Sequence, residues 1–125
     1  MPFRRNAVYT REEIHQQVGG GLQEYLPHRN GRVVCACLRA DLNPFPQERI
    51  LVGNGEKIVR WAGVFAQQTE YVPLFVKQNP KEWRYIGMYR VRRVSENQAQ
   101  IVPHAQQAGR DDVTMILWLE ERVEN

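Results

Sequence analysis

Residues 83–94, with the sequence WRYIGMYRVRRV, decide the fold more than any other part of the chain. Aromatic side chains stand at Trp83, Tyr85 and Tyr89, and a period of two residues is typical of a β-strand. The alternation predicts that these three rings lie on one face of the strand, together with Gly87. A glycine inside a strand weakens it unless another group must approach the backbone closely.

This strand is predicted to form a hairpin with residues 71–77, because a turn pattern at residues 79–80 separates the two segments. The other predicted elements are helices at residues 10–18, 56–68 and, in part, 95–108, and strands at residues 32–38 and 113–119. Thr10 and Glu13 have the spacing of a capping box, which predicts the start of the first helix. We therefore expect an α+β fold, in which a curved mixed β-sheet or small open barrel carries two to three packed helices.

Several local patterns refine this expectation. Residues 32–38 are apolar on both sides, which predicts a central strand, and residues 41–55 read as a long irregular loop of a kind that is often functional. Pro103 is expected to disrupt the middle of the third helix. Trp61 falls on the apolar stripe of the second helix, which favours a core position.

The composition is that of a soluble globular chain. Its 125 residues, expected to form one domain over residues 1–125, are 42% hydrophobic and 25% charged. No apolar run approaches the roughly 20 residues of a membrane span. Cys35 and Cys37 lie in an apolar segment without a matching metal-ligand pair, so we expect buried free thiols and a cytoplasmic location. Neither a metal site nor a cofactor is predicted.

Arginine dominates the positive charge. Of 17 basic residues only three are lysines, and the net charge is +3. Arginine forms paired hydrogen bonds with phosphates and guanine edges, so this bias is a weak pointer to nucleic acid. The residues expected to neutralise the nucleic-acid backbone are Arg4, Arg5, His28, Arg29, Lys77, Arg84, Arg90 and Arg92.

The aromatic strand also provides a candidate base-binding pocket. Bases stack on aromatic side chains spaced along a sheet, and each stack contributes roughly 1–3 kcal/mol. Asparagine amides in the 41–55 loop are suited to pairing with a base edge. The residues predicted to form this pocket are Trp83, Tyr85, Gly87, Tyr89, Asn43 and Asn54. We identify no catalytic residue, and a binding module is favoured over an enzyme.

Residues 73–77 and 83–91 resemble the core of SRA (YDG) domains, which belong to the PUA-like superfamily. That family carries a segment of the type Tyr-Arg-Tyr-Asp-Gly-Leu-Tyr-Arg-Val, and Ile86 stands here in place of its aspartate. Residues 9–14, 19–21 and 26–27 are similar to the start of small bacterial domains that occur alone or fused to HNH nucleases.

The resemblance implies a PUA/SRA-like fold and a DNA-binding module that recognises a flipped, modified base, with a role in restriction-modification and defence against foreign DNA. The implied partners are nucleic acid, DNA before RNA, and a nuclease. Two alternatives stay open. One is a nucleotide- or modified-nucleoside-binding protein or enzyme on the same fold, and the other is a protein-interaction subunit.

Overall fold

Within the described residues 3–123, the computed structural model contains three helices and eight strands. The helices are α1 (Arg11–Val18), α2 (Glu56–Gln67) and α3 (Gln98–Gln107). The strands are β1 (Val8–Tyr9), β2 (His28–Arg29), β3 (Arg32–Val33), β4 (Ala36–Leu38), β5 (Arg49–Val52), β6 (Val72–Asn79), β7 (Glu82–Ser95) and β8 (Met115–Glu121).

The long strand β7 organises the sheet. One of its edges pairs with β6, and the other pairs with β1 near its start and with β8 along its second half. The strand order β4-β6-β7-β8-β5 is mixed, since β4 runs parallel to β6 while the other pairs are antiparallel. Because β4 and β5 lie at opposite ends, the sheet is open and does not close into a barrel. The predicted α+β class with a mixed sheet is confirmed.

The helices cover both faces of this sheet. Ala62 and Phe65 of α2 are fully buried on one face, which we call the α2 face. The opposite face carries α1, through Ile14, and α3, through Ile101 and Ala105. The buried apolar residues of the strands supply the rest of each core, so every helix presents one apolar side to the sheet.

A β-bulge interrupts the pairing of β6 with β7. Leu74 lies opposite Gly87 and Phe75 lies opposite Tyr85, so Ile86 is an extra residue on β7. Because successive strand residues point to opposite faces, one inserted residue reverses the faces of the residues that follow, as far as the next bulge at Arg92.

The bulge places the aromatic side chains of β7 on different faces of the sheet. Trp83 and Tyr85 pack in the core beside α1, whereas Tyr89 packs in the core of the α2 face. The prediction of one aromatic face is therefore wrong. Gly87 adopts a φ of 139°, and a Cβ at this position would lie 2.5 Å from a carboxylate oxygen of Glu121. The group that approaches this glycine closely is thus a side chain of the protein itself.

Three further expectations need correction. Residues 32–38 form two short strands, β3 and β4, and not one central strand. β4 lies at the edge of the sheet. Its outer side is covered because the Cys37 N–H donates to the Tyr25 carbonyl oxygen at 2.7 Å. The 41–55 loop contains the buried strand β5. Helix α3 continues through Pro103, since the buried side chains of Ile101 and Ala105 hold it on the sheet.

Several local predictions are confirmed. Thr10 and Glu13 form both hydrogen bonds of the capping box at the start of α1. Cys35 and Cys37 are buried free thiols. The hairpin β2–β3, whose first strand was not predicted, turns at Asn30 and Gly31, and both residues have positive φ, as two-residue hairpin turns require.

Candidate nucleic-acid interface

A cavity of about 260 Å³ opens where the start of β7 meets α1, the 39–43 loop and the segment between β5 and α2. We call it the Trp83 cavity. Its apolar lining consists of Tyr25, Cys37, Leu38, Leu42, Leu51, Ile58 and Trp83. Its polar lining consists of Arg11, Gln23, Arg39, Asn43, Arg110 and Asp112, with Gly53 completing the wall.

Trp83 is 7% exposed, and two cations lie against its ring. The Arg11 guanidinium is 5.1 Å from the ring centroid and the Lys77 ammonium is 5.7 Å from it. Arg11 also donates to the carbonyl oxygen of Glu24 at 2.9 Å, which holds the neighbouring wall in place. Trp83 therefore lines the cavity as a nearly buried ring that two cation–π contacts hold in place.

Arg110 braces the opposite wall. Its guanidinium donates to the carbonyl oxygens of Leu42 and Leu51 at 3.0 and 2.9 Å, and it makes two hydrogen bonds with the Asp112 carboxylate. These hydrogen bonds hold the pKa of Asp112 below its ordinary value. The Arg110 side chain is only 10% exposed, so its main role is to join the 110–112 segment to β5 and the 39–43 loop.

Asn43 lines the cavity, but its side-chain amide is already hydrogen-bonded to the protein backbone. The Asn43 Oδ1 accepts the Leu51 N–H at 2.8 Å, and its Nδ2 donates to the Arg39 carbonyl oxygen at 3.4 Å. Asn43 thus covers the outer edge of β5, where an unpaired backbone donor would otherwise be buried. Asn54 is exposed and lies outside the lining of the cavity.

A second concave site of about 380 Å³ adjoins the first. We call it the Trp61 cleft, and its lining residues are Glu24, Tyr25, Leu26, His28, Lys57, Ile58, Arg60 and Trp61. Tyr25 and Ile58 line both sites and so form the wall between them. The Tyr25 hydroxyl donates to the Ile58 carbonyl oxygen at 2.5 Å, and burial raises the pKa of this hydroxyl. The wall therefore keeps a neutral, hydrogen-bonded tyrosine.

His28 and Trp61 form a parallel ring stack in the cleft. Their ring centroids are 3.5 Å apart and their planes differ by 9°. The Arg60 guanidinium lies 5.6 Å from the Trp61 ring centroid. Both rings are half-buried, so the stack contributes to the surface as well as to the packing of α2.

Cationic side chains outnumber acidic ones around the paired sites. The cationic residues in the two linings are Arg11, Arg39, Lys57, Arg60 and Arg110, and the acidic ones are Glu24 and Asp112. Arg39 pairs with Asp41 and keeps a side chain that is 53% exposed. Such a surface ion pair is weak in water, which allows another anion to compete for the guanidinium.

The structure brings together only part of the predicted base pocket. Trp83 and Asn43 line the same cavity, whereas Tyr85 and Tyr89 are 4% exposed and belong to separate cores. Burial and, to a lesser extent, the nearby Glu121 carboxylate raise the pKa of the Tyr89 hydroxyl. The second half of β7 thus has no open aromatic face, because its rings fill the core.

Most of the arginines predicted to contact phosphate lie away from the two sites. Arg5 donates to the Ile86 carbonyl oxygen and pairs with Glu121, while Arg84 donates to Asn6 Oδ1 at 2.8 Å. Arg4 is exposed in the same N-terminal segment.

The arginines in the second half of β7 also lie outside the linings of the two sites. Arg90 pairs with Glu120, and its guanidinium lies 4.5 Å from the Tyr71 ring centroid. Arg92 is exposed and is the extra residue of a second bulge, in the pairing of β7 with β8. Arg84 and Arg92 are separated by roughly 25 Å of strand, so these arginines do not form one cluster.

The other residues predicted to contact the nucleic-acid backbone lie nearer to the two sites. His28 lines the Trp61 cleft, and Arg29 is exposed beside it in β2. Lys77 shares an open depression with Arg39, next to the Trp83 cavity.

Sequence reasoning missed three cleft residues on α2. Lys57, Arg60 and Trp61 are three and four positions apart, a spacing that places them on one side of a helix. Trp61 was expected in the core, yet it packs at the edge of the core and also lines the cleft. Two cations at helical spacing around a tryptophan were the signal available in the sequence.

The fold and these sites define an α+β domain with two adjoining, aromatic-lined and mainly cationic concave sites. Residues 8–110 match the family described as a domain of unknown function, DUF6697, and the chain belongs to that family. The match includes every residue that lines the two sites except Asp112. No curated protein and no solved structure matches the chain.

Residues 3–123 lack two further features that bear on function. No helix there has both the length and the apolar character needed to cross a membrane. Within the same residues, no group of three or more His, Cys, Asp or Glu side chains is arranged to hold a metal ion.

Proposed function

We propose that this protein is a nucleic-acid-binding module that takes one unpaired base into the Trp83 cavity. The observation that carries this proposal is the cavity itself, which combines an apolar, aromatic lining with a cationic rim. Its volume of about 260 Å³ lies just below the roughly 300–1,000 Å³ of pockets for drug-sized ligands, which suits a single planar base.

The rim supplies both contact types that such binding needs. Arg39 is the most accessible cation of the cavity, and a phosphate that reaches it replaces Asp41 as its partner. Gln23 is exposed at the rim and offers an amide to a base edge. Backbone contacts position a strand, and base-edge contacts distinguish one base from another.

We also propose that the open mixed sheet is of the PUA-like type and related to SRA domains. The hairpin β6–β7, with its aromatic segment and its glycine at a bulge, supports this proposal. An experimental structure checks it: superposition on SRA domains must align β6, β7 and β8 in the same order and direction, and a different strand order contradicts the relationship.

Fluorescence anisotropy tests the binding proposal with labelled single strands and with plain, methylated and hydroxymethylated duplexes. We expect binding at low salt that weakens as salt rises, because phosphate contacts release counterions. Arg39→Ala is expected to weaken binding to all sequences. It is also expected to reduce the slope of the logarithm of the binding constant against the logarithm of the salt concentration by about one. Arg32→Ala is the matched control, because Arg32 is similarly exposed and also pairs with a carboxylate.

A second pair of variants tests whether the base enters the cavity. Leu42 is partly exposed at the cavity wall, so Leu42→Trp is expected to block the cavity while the core stays intact. Val102→Trp places the same side chain on an exposed site of α3 and serves as the control. Absence of binding to every probe at low salt, or equal binding by both variants, contradicts the proposal.

One observation favours a second candidate, a protein that binds free nucleosides. Arg11, Arg39 and Arg110 all have partners within the protein, which leaves the cavity suited to an uncharged ligand. Thermal shifts with free nucleosides, without any affinity for oligonucleotides, would select this candidate.

A further inference from the structure

We propose that the Trp61 cleft is a second base-stacking site and that the ligand is therefore a single strand with at least two consecutive unpaired nucleotides. This inference rests on the proposed function of the Trp83 cavity. It adds the number of nucleotides bound and the strandedness of the ligand.

The ring stack in the cleft is the first argument. His28 and Trp61 overlap face to face at 3.5 Å, the Arg60 guanidinium lies over the Trp61 ring, and both rings line the cleft. A base placed on the face of His28 that points away from Trp61 extends the stack. Base–aromatic stacking tolerates any sequence because every base has a π-face.

The stack is also held in position before a ligand arrives. Trp61 projects from a helix that is anchored by the fully buried side chains of Ala62 and Phe65. His28 belongs to the β2–β3 hairpin, and its Nδ1–H donates to the carbonyl oxygen of the buried Leu26 at 3.3 Å. A site whose rings are already fixed loses little conformational entropy on binding.

Charge completes the site. Lys57 and Arg60 are exposed on the same side of α2 as Trp61, and Glu24 is the single acid in the cleft lining. Two cations beside a ring stack match the alternation of phosphate and base along a strand.

The wall between the two sites determines the form of the strand. Tyr25 and Ile58 line both sites, and Ile58 is 40% exposed between them. Bases stacked in a duplex follow one another at about 3.4 Å, which leaves no room for a side chain between them. Neighbouring bases that occupy the two sites must therefore be unstacked and unpaired.

Calorimetric titration with three probes tests this inference. The probes are thymidine 5′-monophosphate, the dinucleotide pTpT, and a dinucleotide of equal charge in which the second base is absent. Stacking of the second base is expected to make pTpT bind roughly 5- to 150-fold more tightly than the abasic dinucleotide.

The variants localise that gain. His28→Ala is expected to abolish the difference between pTpT and the abasic dinucleotide, and His28→Phe to restore it, while both retain monophosphate binding. His104→Ala is the matched control, because His104 also contacts a tryptophan, Trp118, at a centroid distance of 5.3 Å but outside both sites. This control must keep the full difference.

The outcomes separate the two proposals. Equal affinity for pTpT and the abasic dinucleotide overturns the second site, while monophosphate binding that Leu42→Trp blocks leaves the first proposal standing. Duplex binding as tight as single-strand binding also overturns the inference. If none of the probes binds, the proposed function fails and this inference fails with it.

Discussion

Replacing Gly87 with alanine tests the bulge that divides the aromatic residues of β7 between two cores. Gly87 has a φ of 139°, a backbone conformation that is essentially restricted to glycine. An alanine Cβ would also meet a Glu121 carboxylate oxygen at 2.5 Å, the Tyr89 ring at 3.2 Å and the Arg5 guanidinium at 3.3 Å. Both effects destabilise the folded protein.

The magnitude follows from these two effects and one opposing effect. The backbone strain costs about 1–3 kcal/mol, and displacing the Glu121 carboxylate from its partners adds about 1 kcal/mol. Alanine also restricts the unfolded chain, which opposes the loss by about 0.5 kcal/mol. We expect Gly87→Ala to lower the free energy of unfolding by about 1.5–3.5 kcal/mol.

Urea denaturation followed by circular dichroism measures this change, with the midpoint lowered and the m-value unchanged. Gly63→Ala is the control, because Gly63 lies inside α2 and an added Cβ meets no atom within 4 Å. This control is expected to raise stability by about 0.5–1 kcal/mol. A loss below about 0.5 kcal/mol for Gly87→Ala would refute the reasoning about the bulge.

Two further predictions concern the walls of the Trp83 cavity. Asn43→Ala leaves a buried N–H of β5 without an acceptor and is expected to lower the free energy of unfolding by about 1–3 kcal/mol. Asn54→Ala, at an exposed position, is expected to change it by less than about 0.5 kcal/mol. Similar losses for the two variants in urea denaturation would contradict the structural role of Asn43. Arg110 lowers the pKa of Asp112, so the stability from this pair is present above the ordinary aspartate pKa of 3.8 and is lost as pH falls through the lowered value. Because the carboxylate is 41% exposed, the pH-dependent change in the free energy of unfolding stays below about 1 kcal/mol. Asp112→Asn is expected to flatten the acid side of a plot of stability against pH. An unchanged acid side would contradict the assignment of this pH dependence to Asp112.

The elements that the sequence predicted correctly depend on local signals. The capping box of Thr10 and Glu13 starts α1 because both hydrogen bonds lie within one helical turn. The period of two residues makes residues 83–94 a strand wherever they lie in the sheet. Such signals need no knowledge of the partner elements.

The errors arise where a distant partner decides. The bulge at Ile86 exists only in the pairing with β6, so the alternation of aromatic residues did not reveal that Tyr89 faces the other core. Helix α3 continues through Pro103 because packing against the sheet offsets the local cost.

The candidate sites show the same division. Trp83 and Asn43 were chosen from sequence for their chemistry, and both line one cavity. The stack of His28 on Trp61 joins residues 33 positions apart, and no periodicity connects them. Helical spacing alone could have grouped Lys57 and Arg60 with each other. Only the position of the β2–β3 hairpin shows that they line a cleft together with His28.

The sequence by itself determined the α+β class, the cationic and arginine-rich character, and the side chains available for binding, because these depend on composition and on periods of two or 3.6 residues. The tertiary structure decided which rings are buried, which arginines are paired, and where open concave sites remain. The physical reason is that burial and pairing depend on contacts between distant segments, and a single inserted residue in β7 was enough to exchange the two faces of its strand.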